Sequence, residues 1–197
     1  MENTRIESFN FENLHYLIDE VVPLWSQDEW PVEFRRFNVE FIIRNNIWEN
    51  AYRFQLMENA EFLAAAFFAR KHDVCNVEKW FDAESRHFTK KQLMSSNMSR
   101  AYLHKMDERT LEFMNDDDIK LSLFISRKSG CGSLILNKLC TQLHEEGWKN
   151  LYLWTDCECN WQWYFKHGFT LIQEAVYEPF STGHEEYKTY IFKKPLC

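Results

Sequence analysis

The sequence predicts an α/β fold, and three consecutive features support this prediction. A short apolar run at residues 119–126 leads into a glycine-containing turn, Arg127-Lys-Ser-Gly-Cys-Gly132. A helical pattern follows, with apolar residues on one face of a 3.6-residue period: Ile135, Leu136, Leu139, Cys140 and Leu143. Gly147 ends this helix, and residues 151–155 have the composition of a buried strand. The order of strand, turn, helix and strand predicts a right-handed crossover between parallel strands.

The elements before residue 72 are predicted from apolar periodicity and from turn residues. In chain order they are a strand at 5–9, helices at 12–22 and 32–48, and strands at 52–57 and 61–70. Pro23 is expected to stop the first helix, whereas Pro31 is tolerated near the start of the second because the first turn needs no amide donor. Asn59 is predicted at the tip of a hairpin between the two strands.

The long segment 72–118 contains no glycine or proline and has helical patterns near residues 77–81, 84–94 and 98–114. After the crossover, Thr155 and Asp156 lie at the carboxyl end of a strand, where open sheets bind ligands. Asn160 is predicted to cap a short helix that Gly168 closes. The final strands are predicted at 169–177 and 187–192, with a polar loop between them.

The turn at residues 127–132 has the features of an anion site. Gly130 and Gly132 allow backbone N–H groups to approach a ligand closely at a helix N-terminus. The first helical turn has no acidic residue, and Arg127 and Lys128 precede it, which suggests a missing negative ligand. No Lys-Ser or Lys-Thr follows the second glycine, as a nucleoside triphosphatase loop would require. A dinucleotide motif is also a poor match.

Two segments together resemble the GNAT acetyltransferases. Arg127-Lys-Ser-Gly-Cys-Gly132 is similar to that family's Q/R-x-x-G-x-G/A signature, and Asn160-Trp-Gln-Trp-Tyr-Phe-Lys-His-Gly-Phe169 resembles its later Asn…Tyr-x-x-x-Gly-Phe segment. The resemblance implies a mixed, splayed sheet of about six to seven strands with helices on both faces. One departure is that the family usually has a proline and a slightly longer link between strand and signature.

The resemblance also implies a cofactor and an activity: direct transfer of an acetyl group from acetyl-CoA to an amine of a small molecule or peptide. The first motif would bind the pyrophosphate, and the second would add further contacts. The residues expected at the cofactor are Arg127, Lys128, Ser129, Gly130, Cys131, Gly132, Ser133, Asn160 and Phe165.

Tyr164 occupies the position of the family's general-acid tyrosine, four residues before Gly168. A phenol with a pKa near 10 stays protonated at neutral pH and can donate a proton to a departing thiolate. The alternative is a core aromatic residue. A base must deprotonate the amine, and the candidates are Asp118, Glu185 and Glu186. A covalent cysteine is not expected, because no histidine partner is apparent.

The GNAT family usually joins its third and fourth strands by a short turn, so residues 72–118 are interpreted as a helical insertion in a single domain. This insertion is either a lid over the acceptor site or an oligomer interface, such as that of a homodimer. Two other functions remain open. One is a non-catalytic acyl-CoA sensor that keeps the cofactor cleft, and the other is an interaction protein built on the insertion.

Composition limits the partners. A net charge of −7 argues against nucleic acid and suits a cationic amine substrate. The longest apolar run, 62–69, is too short to cross a bilayer, so no membrane partner and a cytoplasmic location are expected. The six cysteines lack paired C-x-x-C spacing, which predicts reduced thiols and no metal site: Cys75, Cys131, Cys140, Cys157, Cys159 and Cys197.

Overall fold

A computed structural model describes residues 4–50 and 52–197. Its strands are β1 Thr4–Ser8, β2 Arg53–Glu58, β3 Glu61–Arg70, β4 Asp118–Ser126, β5 Asn150–Asp156, β6 Thr170–Val176 and β7 Lys188–Pro195. They form one seven-stranded sheet in the order β1-β2-β3-β4-β5-β7-β6. Only β4 and β5 pair in parallel, and the other neighbours are antiparallel. The predicted α/β class with a mixed sheet is therefore confirmed.

Six α-helices cover the two faces of this sheet. They are α1 Leu14–Trp25, α2 Val32–Asn45, α3 Val77–Glu84, α4 Lys90–Glu112, α5 Cys131–Glu145 and α6 Gln162–Lys166. The apolar face of α5 packs on one side of the sheet, together with residues of α6. The helices α1 and α2 pack on the opposite side, where α3 and α4 extend the layer. Among the described residues, no helix combines the length and apolar character that a bilayer span requires.

Several predicted helix boundaries were wrong. The first helix continues through Pro23 to Trp25, because a proline in the last turn removes only one backbone hydrogen bond there. The second helix ends at Asn45 rather than at residue 48. Residues 90–112, which join most of the two segments predicted at 84–94 and 98–114, form one 23-residue helix, α4. In contrast, the left-handed Asn59 at the hairpin tip and Gly147 after α5 are confirmed.

A β-bulge in β4 lies beside the point where the sheet opens. Phe67 of β3 pairs with Leu123 and Phe68 pairs with Leu121, so Ser122 is an extra residue on β4. Leu121 therefore packs on the α5 side of the sheet, whereas Leu123 packs on the α1 side. A bulge bends its strand and increases the local twist. The parallel pairing of β4 with β5 extends only to Lys120 and Tyr152, and the two strands separate beyond that point.

A buried ion pair attaches α4 to the sheet at the start of this separation. Lys120 on β4 is fully buried, and its Nζ lies 2.6 Å from Oδ1 of Asp107 on α4. The indole N–H of Trp154 donates to the same oxygen at 2.7 Å. The Lys120 ammonium also lies 4.3 Å from the centroid of the Trp48 ring. The insertion is thus part of the packed core of the domain.

Candidate active site

A large open cavity lies where β4 and β5 separate. Its volume is about 1420 Å³, and its lining comes from the diverging strands, from the turn before α5 and from α1, α2 and α4. Ligand pockets commonly have volumes of about 300–1,000 Å³, so this cavity has room for an extended cofactor beside a small acceptor. It is the candidate site for the chemistry that the sequence predicts.

Free backbone amides lie at the end of this cavity that is formed by the turn before α5. Within the described part of the chain, no protein acceptor receives the backbone N–H groups of Lys128, Ser129, Gly130, Gly132 or Ser133. The Arg127 amide donates to the Leu63 carbonyl at 2.9 Å, and the Cys131 amide donates to the Lys128 carbonyl at 3.2 Å. Unpaired amides at a helix N-terminus favour an anion, because they present both hydrogen-bond donors and the positive end of the helix dipole.

The two glycines of the turn have different structural roles. Gly130 precedes α5 with φ +82°, a left-handed conformation that favours glycine. Gly132 lies in the first turn of α5, where an added Cβ would meet the Phe124 ring at 3.2 Å and the Ser126 Cβ at 3.3 Å. Gly130 therefore sets the path of the chain, and Gly132 allows the helix N-terminus to approach β4 closely.

The two cations before the turn already have carboxylate partners. Arg127 Nε lies 3.1 Å from Oε2 of Glu20 on α1, and Lys128 Nζ lies 2.6 Å from Oε2 of Glu61 on β3. Both pairs are solvent-accessible, so their net contribution to stability is small. These carboxylates weaken the argument that the cations alone indicate a missing anion. The free amides remain as the stronger observation.

Tyr164 lies on α6 and lines the cavity. Burial raises the pKa of its phenol, so the group is protonated at neutral pH. The ring also packs edge-on against Phe169, with ring centroids 5.4 Å apart, so it contributes to the core as well. The α6 segment is tied to the amide turn because Nε2 of His167 and Oγ of Ser133 lie 2.8 Å apart.

The cofactor residues predicted from the sequence divide into two groups. Arg127, Lys128, Ser129, Gly130, Gly132, Ser133 and Asn160 line the cavity. Cys131 instead points into the core beneath α5, and Phe165 packs against Phe192 outside the cavity lining. Asn160 does not cap α6 as predicted, because its side chain makes no capping hydrogen bond and the helix begins at Gln162.

None of the three predicted bases lines the cavity. Asp118 starts β4 at the opposite end of that strand, where its oxygens accept hydrogen bonds from the Asn115 backbone N–H at 2.8 Å and from the Asn150 amide at 2.6 Å. This carboxylate closes a turn and is fully buried. Glu185 and Glu186 are exposed on the loop before β7.

Three other carboxylates line the cavity: Glu20, which pairs with Arg127, Asp156 at the end of β5 and Glu158 just after it. Oδ2 of Asp156 accepts a hydrogen bond from the Tyr102 hydroxyl at 2.9 Å, and Oδ1 accepts one from the Glu158 backbone N–H at 3.1 Å. Partial loss of hydration, followed by repulsion from Asp156, raises the pKa of the Glu158 carboxyl above its ordinary value. A carboxylate of this kind is a better base for an ammonium group than a fully solvated one.

Sequence reasoning noted the position of Asp156 but did not name it or Glu158 as a base. The available signal was their location directly after a strand of the parallel pair, because ligands bind at the carboxyl ends of such strands. Tyr102 and Tyr187, which also line the cavity, come from α4 and from the segment before β7. No local motif marks either tyrosine.

Comparison with protein-family models and with curated protein sequences gave no match. Comparison with solved structures gave many matches, and many of the matching proteins are N-acetyltransferases of the GNAT type. The ribosomal-protein-S18-alanine N-acetyltransferase from Escherichia coli has 14% identity and a TM-score of 0.55, with 98% of this chain and 94% of that chain covered.

Two further structures show the range of proteins with this fold. The Drosophila melanogaster polyamine N-acetyltransferase, which forms N-acetylagmatine, has 10% identity and a TM-score of 0.54, with 98% of this chain and 100% of that chain covered. The C-terminal condensation domain of Ebony, in complex with β-alanyl-dopamine, has 9% identity and a TM-score of 0.64, with 98% and 99% covered. At these identities the similarity establishes the fold alone.

Proposed function

We propose that this chain, which has the fold of the GNAT N-acetyltransferases, is an acetyl-CoA-dependent N-acetyltransferase that acts directly on an amine. The acceptor would be a small molecule or a peptide. The free amide groups between residues 128 and 133, at the mouth of the opened sheet, are the observation that carries this proposal. The amine substrates named for several proteins of the same fold support it.

The residues at the turn fit a diphosphate group. Their N–H groups would bind its oxygens, and the N-terminus of α5 would add the favourable field of the helix dipole. Arg127 and Lys128 line the same end of the cavity and would turn from Glu20 and Glu61 toward the phosphates. When bound, acetyl-CoA supplies an acetyl group already activated as a thioester.

Tyr164 and Glu158 would handle the protons of the reaction. The amine must lose a proton before it can attack, and the Glu158 carboxylate, with its raised pKa, would accept this proton directly or through one water. The Tyr164 hydroxyl, kept protonated by burial, would donate a proton to the departing sulfur. In this scheme Glu158 replaces Asp118, Glu185 and Glu186 as the candidate base.

Cofactor binding can be tested by thermal shift. Acetyl-CoA should raise the melting temperature, and Arg127→Glu should lose the rise because it places a second carboxylate beside Glu20 at the phosphate end. Arg36→Glu is the matched control, since Arg36 pairs with Asp19 of α1 but lies outside the cavity. No rise in the wild-type protein at millimolar acetyl-CoA would refute the proposal.

Catalysis can be tested by release of free CoA thiol against a panel of amines. Glu158→Gln and Tyr164→Phe should each lower kcat by about 10²- to 10⁴-fold, the usual contribution of a proton-transfer group. Glu185→Gln should have little effect. A different result would identify a non-catalytic acyl-CoA sensor: the protein would bind the cofactor but release no thiol with any amine, and Tyr164→Phe would have no effect.

A further inference from the structure

The Asp156 carboxylate is a buried negative charge in the cavity wall that has no cationic partner. The residue is only 7% exposed. Its hydrogen-bond donors are neutral, namely the Tyr102 hydroxyl and the Glu158 backbone N–H. No ion pair among residues 4–50 and 52–197 includes it. Since burying an unpaired charge costs several kcal/mol, a positive charge from outside the protein would be stabilised here.

Aromatic rings cluster around Tyr102, whose hydroxyl donates to this carboxylate. Tyr102 lies edge-on to Trp154, with ring centroids 5.5 Å apart, and lies 5.0 Å from the Phe180 ring and 5.9 Å from the Tyr187 ring. All four rings contribute to the cavity lining. Aromatic faces attract organic cations, and the attraction is stronger where water is excluded. We call Asp156 and these four aromatic residues the cationic subsite.

The charge balance of the reaction decides which part of an acceptor fits this subsite. A nitrogen that attacks a thioester must be neutral, so the reacting amine gives its positive charge to the base. The neutral reacting amine then no longer offsets the charge of Asp156. A second amine on the same molecule keeps its proton throughout the reaction, so it can offset that charge. An acceptor with a carboxylate would instead be repelled by both Asp156 and Glu158.

We propose that the cationic subsite binds the non-reacting ammonium group of a small diamine, and that this chain selects dicationic acceptors over monoamines and amino acids. The statement that the other nitrogen of the diamine is acetylated rests on the proposed function. The binding of the non-reacting ammonium group to Asp156 does not rest on it, because that binding follows from the buried charge and the aromatic walls.

Three ligands with the same four-carbon chain test the proposal by isothermal titration: 1,4-diaminobutane, n-butylamine and 4-aminobutanoate. The diamine should bind at least about tenfold more tightly than butylamine, and 4-aminobutanoate should bind most weakly, since about 1.4 kcal/mol of differential binding is tenfold in affinity. Equal affinities, or tighter binding of 4-aminobutanoate, would overturn the proposal.

Asp156→Asn tests the residue itself. It should weaken diamine binding at least about tenfold and remove most of the preference over butylamine. Glu174→Gln is the control, because it removes one negative charge from an exposed ion pair with Lys188 outside the cavity. Wild-type diamine affinity in Asp156→Asn, or an equal loss in Glu174→Gln, would contradict the assignment.

Tyr102→Phe provides a second variant if Asp156→Asn does not fold, as judged by circular dichroism. It removes one hydrogen bond that orients the carboxylate but keeps the ring, so a smaller loss of diamine affinity, about two- to fivefold, is expected. Unchanged affinity in a folded Tyr102→Phe protein would count against the subsite.

Measuring acetyl-CoA binding in the same samples separates the two proposals. A diamine preference that depends on Asp156, in a protein that acetyl-CoA does not stabilise, would support the subsite and refute the acetyltransferase proposal. The opposite result is a protein that binds acetyl-CoA and acetylates butylamine and 1,4-diaminobutane with equal efficiency and equal affinity. It would support the acetyltransferase proposal and refute the subsite.

Discussion

Two buried aspartates on neighbouring elements, Asp107 on α4 and Asp156 on β5, differ in whether they have a cationic partner. They are 5% and 7% exposed, and each accepts a hydrogen bond from an aromatic side chain, Trp154 for Asp107 and Tyr102 for Asp156. Asp107 also has the Lys120 ammonium at 2.6 Å, whereas Asp156 has no cation within the described chain.

The difference separates a structural charge from one that is available to a ligand. Helix α4 carries both Tyr102 and Asp107, and β5 carries both Trp154 and Asp156, so the two sites share the same supports. At Asp107 the chain provides both charges and closes the pair inside the core. At Asp156 it provides the anion and the hydrogen-bond donors, and the carboxylate lines an open cavity. Comparable burial therefore does not imply a comparable role.

The largest expected effect is on stability. Asp107→Asn should lower the free energy of unfolding by about 3–5 kcal/mol, because it leaves the Lys120 ammonium buried without an anion. Asp156→Asn should leave it unchanged or raise it slightly, since it removes a buried charge that has no cationic partner. Urea unfolding followed by tryptophan fluorescence measures both. Equal losses in the two variants would remove the distinction between the sites.

A double variant sharpens the same comparison. Replacing the pair with apolar side chains, Asp107→Leu with Lys120→Met, should recover much of the stability that either single substitution loses. A deficit of about 1–3 kcal/mol should remain, because the Trp154 indole N–H loses its acceptor. The measurement is a double-mutant cycle in urea. Additive losses would mean that the two charges do not stabilise each other.

Removing the donor of Asp156 should have a smaller effect. Tyr102→Phe should cost about 1–2 kcal/mol, because a hydrogen bond to a charged group is lost while the Glu158 N–H remains. Tyr177→Phe is a suitable control, since Tyr177 packs against Tyr102 with ring centroids 4.8 Å apart. A loss for Tyr177→Phe as large as that for Tyr102→Phe would show that the effect does not depend on the hydrogen bond to Asp156.

The smallest expected effect is a shift in the pH profile. Repulsion from Asp156 is one cause of the raised pKa of Glu158, so Asp156→Asn should lower that pKa and keep the base deprotonated at lower pH. The acidic limb of the kcat/KM profile should then move to lower pH by less than about one unit. The control variant Glu174→Gln should show no shift of this limb. A shift to higher pH would contradict the proposed interaction between the two carboxylates.

The fold and the geometry of the turn before α5 could be predicted from sequence because their determinants are local. Six consecutive residues, 127–132, specify a turn whose second glycine must lie against β4, and the preceding strand and following helix show clear periodicity. The hairpin at Asn59 and the C-terminus of α5 at Gly147 also depend on single residues with left-handed backbones. Such features need no knowledge of distant contacts.

The length of α4 could not be predicted because a tertiary contact stabilises a central segment whose residues have low helix propensity. Ser95, Ser96 and Asn97 have low helix propensity, which suggested a break. In the structure Ser96 is fully buried, and its hydroxyl donates to the Asn38 side chain on α2 at 2.9 Å. The start of the helix did have a local signal, the capping box of Thr89 and Gln92, which sequence reasoning overlooked.

The acceptor end was missed for a related reason. Its residues come from α4, the end of β5 and the segment before β7, which no sequence spacing connects. Helix α4 lines the cavity, and both interpretations of residues 72–118, a lid and a homodimer interface, remain predictions. Asp118, one of the predicted bases, and Asp156 stand at opposite ends of neighbouring parallel strands. Applying strand direction consistently would have favoured the end of β5, where Asp156 and Glu158 lie.

The extra residue at Ser122 has a consequence for how such a protein can diversify. It lies on the border between β3 and β4, and the Ser122 hydroxyl bonds to the carbonyl oxygens of Asn46 and Phe67 at 3.0 and 3.1 Å. The bulge beside the gap between β4 and β5 is therefore held by the framework, on the far edge of β4 from the gap itself. Mutations in α4 and in the segment before β7 leave these contacts intact, so we expect the walls of the cavity to vary while the bulge and the turn before α5 are kept.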